Sequence, residues 1–414
     1  MNRKQLFLLL VALAFIGGAC LLLLRRNEQS WSAPGGQTGK KLLQNFQVND
    51  VAAIHLKGGS ELTLGRTGDR WCVLEKGNYP ANFSQISELL LKISDLKIIQ
   101  SEPIAAAQLA RMHLTEPGRG PDSGVLVEFK DAQGRVLQSL LLGKKHVQKS
   151  ERPSPMRFGD EGFPDGRYVM LKTDPQDLLT VSDPLNNLDP NPAEWLDKDF
   201  FKVEKPQAIA FVSTNAANSW KLTRESESAP WVLADPKPGE VLDTNKVASL
   251  AGTLSYPSFV DVAADPAPDK TGMDKPLAVS IETFDHFTYT LDIGNKTPEN
   301  DYHLKVAVAG ALPSERTPGK DEKPDDKKKF DKEFQDKLKP LQDKLRQERS
   351  LDQWTYLVSS WLVDPLIRDR AQLMVEKKDE KKDDKKEAAV APEIMPEEKP
   401  DESTVFPAVD PRVR

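Results

Sequence analysis

RWCVLEKG at positions 70–77 and APWVLADP at 229–236 write the same short strand twice: tryptophan, valine, leucine, then a turn, with Trp71 and Trp231 160 positions apart. Around them further features recur in one order. VAAIHL (51–56) answers AIAFVS (208–213), both strand-like and β-branched, and a second strand, ELTLGR (61–66), answers SWKLTR (219–224). Each tryptophan strand is followed by a helical pattern. Ile86, Leu89, Leu90 and Ile93 in one copy, and Val247, Leu250, Ala251 and Leu254 in the other, follow the i, i+3, i+4, i+7 spacing of one apolar stripe. Asn82 with Gln85 three residues on has the form of a capping box, and Thr244 is placed to cap the second helix.

The register holds further along. RMHLTEP ends at Pro117 and TGMDKP at Pro276, 46 and 45 positions after the respective tryptophans. Alternating strands follow, GVLVEFKD and VLQSLLLGKK against LAVSIETF and FTYTLDIGNK, and Gly143 and Gly294 sit at matching strand ends, each two residues before a lysine. Each unit therefore predicts β-β-β-α-β-(short α)-β-β-β, an α+β fold of antiparallel sheet with helices on one face. The units span 42–190 and 207–374, and 191–206, with Trp195, Leu196, Phe200 and Phe201, predicts a linker helix. Trp71, Trp231, Pro117, Pro276, Gly143 and Gly294 form the signature of the unit, and both tryptophans are expected in its core. Trp354 and Trp361 are expected there too, an exposed aromatic surface being the alternative.

The N-terminus predicts a membrane anchor over 1–30. Arg3 and Lys4 precede an uncharged apolar run at 6–24, close to the length that crosses a hydrocarbon core. GGAC at 17–20 raises the alternative of a lipidated Cys20. The expected placement is a bacterial inner-membrane protein, single-pass, with a cytoplasmic N-terminus and the bulk of the chain periplasmic.

Two segments stand outside the units. The second unit carries an insertion at 314–353, where Phe330, Phe334, Leu338, Leu341 and Leu345 make a narrow apolar seam along a charged helix that Pro340 would bend or split. It reads either as a solvated excursion or as a partner-facing helix. Residues 375–414 are charged and proline-rich, a composition that disfavours a packed core and predicts a disordered tail.

Chemistry is sparse. A net charge of −6 argues against a nucleic-acid partner. The histidines, His55, His113, His146, His286 and His303, form no closely spaced pair of the kind a zinc site uses, so no metal and no cofactor is expected. Cys72 has no identifiable base, and neither a phosphate cradle nor a nucleophile elbow occurs. Asp292 with Asp301 is the nearest pair of carboxylates for a wall-acting hydrolase.

Taken together, the W-x-L strand, the amphipathic helix, the L/M-x-x-P turn and the G-(N/K)-K strand end, behind an N-terminal anchor, resemble the bacterial family called domain of unknown function 4340 over about 42–374. The charged insertion departs from its pattern. The resemblance implies a genetic setting beside ABC-type transporter subunits and a gliding-motility auxiliary protein. The expected function is thus a non-enzymatic, membrane-anchored extracytoplasmic scaffold or accessory subunit of such an envelope complex, with a polysaccharide- or protein-binding module as the alternative and a cell-wall hydrolase behind it.

Overall fold

The computed structural model describes residues 38–147, 164–264, 267–318 and 324–375. In the first half the elements are β1 (Ala53–Lys57), β2 (Glu61–Thr67), β3 (Arg70–Val73), β4 (Tyr79–Pro80), α1 (Phe83–Asp95), β5 (Ile98–Pro103), β6 (Val125–Lys130), β7 (Val136–Val147), β8 (Pro164–Leu171) and β9 (Asp174–Val181). They pair as one antiparallel sheet in the order β4-β3-β2-β1-β6-β7-β8-β9-β5. The second half contains β10 (Pro206–Val212), β11 (Trp220–Thr223), β12 (Val232–Leu233), α2 (Thr244–Thr253), β13 (Asp261–Ala263), α3 (Pro268–Thr271), β14 (Leu277–Thr283), β15 (Phe287–Lys296), β16 (Asp301–Gly310), α4 (Pro324–Arg349), β17 (Thr355–Ser359) and α5 (Ser360–Val363). Its sheet runs β12-β11-β10-β14-β15-β16-β17-β13. Apart from β4, the two orders are the same.

The correspondence extends to single residues. Ile54 pairs with Leu64 and Phe129, as Ile209 pairs with Leu222 and Ile281. The β6–β7 turn is tied by Asp131, whose carboxylate accepts from the Arg135 amide at 2.9 Å, and the β14–β15 turn by Thr283, whose hydroxyl accepts from the Phe287 amide at 3.0 Å. Gly134 and His286 take the same left-handed position in these turns, with φ of 77° and 64°.

The fold class expected from the sequence needs correction. The protein is mostly β, two antiparallel sheets with few helices, and only α1, α2 and α4 reach ten residues among the described residues. Among those residues no helix is long and apolar enough to cross a membrane, so no N-terminal transmembrane helix is shown; 1–30, the expected anchor, lies outside them, as do 376–414 of the tail. The linker helix does not form either. Only a 3-10 turn, Pro192–Trp195, occurs there, after which the chain runs as an extended strap that buries Leu196, Phe201 and Val203 beyond the buried Trp195. Extended, the strap reaches both sheets: Leu196 bridges to Ala81, and Phe200 packs on Phe259 and Tyr356.

The helices obey local rules. α1 buries Ile86, Leu89, Leu90 and Ile93, each contributing about 1.5–3 kcal/mol on full burial. Asn82 caps it by accepting from the Gln85 amide. α2 is capped by Asp243, which accepts from the amides of Asn245 and Lys246, rather than by Thr244, which lies inside the helix. α4 continues unbroken through Pro340. Both sheets, the strap and part of α4 share one hydrophobic core.

Candidate functional site

The signature residues hold the two sheets in shape. Trp71 is buried on β3, and Cys72 beside it is buried as well. Trp231 is only partly buried, because it stands just before the edge strand β12, with the guanidinium of Arg224 4.8 Å from its ring centre. The fully packed tryptophan of the second sheet is instead Trp220, whose indole N–H donates to the Arg368 carbonyl at 2.7 Å. In SWKLTR it holds the apolar position opposite Phe211, a signal that the recurrence of Trp231 overshadowed.

Gly143 and Gly294 lie under backbone. A Cβ at Gly143 would be 2.3 Å from the Met112 carbonyl oxygen, and one at Gly294 2.1 Å from that of Thr271. Both carbonyls belong to helical turns that close with a left-handed residue, His113 at φ 52° and Gly272 at φ 73°. The signature prolines, Pro117 and Pro276, each follow that residue by four positions. The residue directly after it, Leu114 or Met273, packs on the same glycine, at 3.0 and 2.9 Å from the added Cβ. Neither glycine stands at the strand end expected from the sequence; each lies inside its strand at a shift of register, Leu142 to Lys145 and Ile293 to Lys296, where a carbonyl occupies the place of its side chain.

Between the sheets lies an aromatic seam. Tyr79 of β4 meets Trp354 at 4.8 Å and Phe259 at 5.8 Å between ring centres, both edge-on. Phe200 of the strap touches Phe259 at 5.1 Å and Tyr356 at 4.8 Å. Lys76 and Asp261 close the seam with a 2.6 Å ion pair, and both side chains are mostly buried. Trp354 is therefore partly buried against the core, whereas Trp361 on α5 is 52% exposed, contrary to its expected core position. A four-residue helical turn at the end of β17 carries it outward.

The apolar seam of α4 is divided. Leu338 and Leu345 are buried and Leu341 packs on the core, so this half faces the protein itself and not a partner. Phe330 is exposed beneath Arg316, which also pairs with Asp331 at 3.0 Å, and Phe334 is half-buried. At the carboxyl end Glu348 is buried, accepting from the Lys202 amide at 2.9 Å and lying 2.8 Å from the Tyr289 hydroxyl. A second buried charge, Arg370, binds Asp235 at 3.0 and 3.1 Å and Glu240 at 2.9 and 2.7 Å. These bonds draw the Glu240 carboxyl down to about 2.

Polar clusters suited to chemistry are fewer. His55 is held between Glu61 at 2.8 Å and Glu128 at 3.2 Å, which ties three strands together on the outer face of the first sheet. At the end of that sheet an open cleft of about 900 Å³ is lined by residues including Asp50, Arg66, Asp131 and Arg135. At the matching position of the second sheet Arg224 donates to the Pro206 carbonyl at 2.6 Å and lies over the rings of Trp231 and Phe284. Asp292 pairs with Lys305, four residues along β16 from Asp301, a separation of about 13 Å at strand rise. Among the described residues no group of His, Cys, Asp and Glu is arranged to hold a metal.

No curated protein and no solved structure matches the chain. A family model does, from the tryptophan of β3 to the proline before β14. Over residues 71–276, then, the chain matches the family described as "Domain of unknown function (DUF4340)", which supports the family resemblance that its sequence carries.

Proposed function

We propose that the protein is a non-enzymatic, extracytoplasmic scaffold or accessory subunit of an ABC-type export or gliding-type envelope complex, built from two tandem copies of one unit. The tandem reading is supported by the common strand order and by the two glycines under carbonyls. The observation that carries the scaffold reading is the kind of position the two copies share. Matching positions shape turns, cap helices and fill the core, and where the copies share a polar residue its contacts differ, as when Arg66 pairs with Asp69 while Arg224 lies over Trp231. A body built this way presents surfaces rather than a reaction centre. The implied genetic setting of the family names the partner class.

Crosslinking of the full-length protein in native cells, followed by mass spectrometry, tests the reading. Capture of transporter permease or auxiliary subunits supports it; their absence under conditions that capture other neighbours counts against it. A second reading, an envelope polysaccharide-binding module, is favoured by Trp361, which stands exposed on a turn whose Ser360 and Asp364 bond Asn300 and Tyr302. Binding of wall polysaccharide that is lost in Trp361→Ala would favour it over the scaffold.

A further inference from the structure

Glu348 lies in the last turn of α4, where the helix crosses the strap that joins the two sheets. Three heavy-atom contacts close a ring around it. The Lys202 amide is 2.9 Å from Oε1, the Tyr289 hydroxyl oxygen is 2.8 Å from Oε2, and that hydroxyl oxygen is 3.1 Å from the Lys202 carbonyl oxygen. Each contact needs its own proton. The amide supplies one and the tyrosine one, and the hydroxyl can donate to the carbonyl or to the carboxylate but not to both. A neutral carboxyl supplies the third: Oε2–H donates to Tyr289, Tyr289 donates to the Lys202 carbonyl, and the Lys202 amide donates to Oε1. Ionised, the ring loses one bond and leaves a charge among buried groups.

The surrounding charges do not offset this. Lys344, on the same helix, is 3.7 Å from Oε1, but it also donates to the Lys202 carbonyl at 2.7 Å and pairs with Glu204 at 3.1 Å. On the strap, Glu204 further holds the Lys202 ammonium at 3.0 Å, and Asp199 accepts from Gln347 at 3.2 Å. Before β15, Asp285 pairs with Lys205 at 3.3 Å. Burial acts most strongly on Glu348 and raises its carboxyl above the ordinary glutamate range.

We propose that α4 is a proton-dependent latch: neutral Glu348 fastens the last turns of the helix to the strap between the sheets, and ionisation of Glu348 releases them. The proposal does not rest on the scaffold reading. Its sign follows from the ring. A carboxyl raised in the latched state contributes its full stabilisation below the ordinary glutamate range and loses it as pH rises through the latched value. Between those limits release grows up to tenfold per pH unit, the limit for one proton.

Hydrogen exchange of the full-length protein from about pH 5 to about pH 8 tests this, with peptides from 338–349 compared with those of 83–95 after correction for intrinsic rates. In the wild type the relative protection of 338–349 falls with rising pH, by up to tenfold per unit. In Glu348→Gln it stays level, because the amide donates to Tyr289 while its carbonyl accepts from Lys202. Level protection in the wild type, or an unchanged slope in Glu348→Gln, overturns the latch. Infrared spectroscopy of the wild type gives a readout that no folding defect of a variant can obscure: a protonated-carboxyl band at mildly acidic pH is expected, and its absence also overturns the proposal.

Discussion

The carbonyl oxygen of Thr271 stands over Gly294 so closely that a Cβ there would lie 2.1 Å away, and Met112 stands over Gly143 in the same way at 2.3 Å. Neither carbonyl can yield without moving the helical turn that carries it. Gly294→Ala and Gly143→Ala should each destabilise the protein by about 1–3 kcal/mol, the range for overpacking. Gly59→Ala, with nothing within 4 Å of its added Cβ, serves as the control and should leave the urea midpoint within experimental spread. Equal midpoints for all three variants would refute the steric account.

Tyr356 lies in the aromatic seam with its hydroxyl buried and without a hydrogen-bond partner among the described residues. The Tyr79 hydroxyl is its polar neighbour, and burial together with that neighbour raises the Tyr356 phenol above the ordinary range. An unsatisfied buried hydroxyl costs about 1–3 kcal/mol. Tyr356→Phe should therefore be neutral or stabilising, which a denaturant titration would register as an unchanged or raised midpoint. A clear loss of stability would mean that the two hydroxyls bond in solution.

Much of this arrangement was legible in the chain. The spacing of Ile86, Leu89, Leu90 and Ile93 defined α1, and the matching positions of Gly143 and Gly294 marked two points inside β7 and β15 that share one constraint. Other readings failed for physical reasons. Phe200 and Phe201 lie side by side, and sequence alone does not say whether such a pair is buried by winding or by lying extended between sheets. The stripe Leu338, Leu341 and Leu345 has the same pattern whether a partner or the protein's own core covers it. Glu348 and Arg370 were invisible because they stand among charged neighbours, where a buried charge reads like a solvated one.

Arg370 gives the acid side of the stability profile. Its bonds hold Glu240 down to about 2, so this carboxylate stabilises the fold above the ordinary glutamate range and loses that contribution as pH falls toward 2. Between about pH 4.5 and about pH 2 the wild type should lose stability more steeply than Glu240→Gln. Parallel profiles from urea unfolding at stepped pH would show that the pair does not act on stability.

The two sheets should unfold together, and the strap should be the reason. Phe200 touches Phe259 and Tyr356, its neighbour Phe201 reaches Tyr289 at 5.9 Å, and Leu196 bridges to Ala81 beside the first sheet's edge. A single cooperative transition follows when such contacts outweigh the independent stability of each part. Phe200 is only partly buried, so Phe200→Ala, which empties the contact where strap and second sheet meet, should cost less than the about 3–5 kcal/mol of a fully buried phenylalanine. The Lys76–Asp261 pair and the rings around Tyr79 are then left to span the seam, and calorimetry of this variant should resolve two transitions where the wild type has one. A single transition at lower temperature would instead place the coupling in Tyr79 and Trp354, which the truncation leaves in contact.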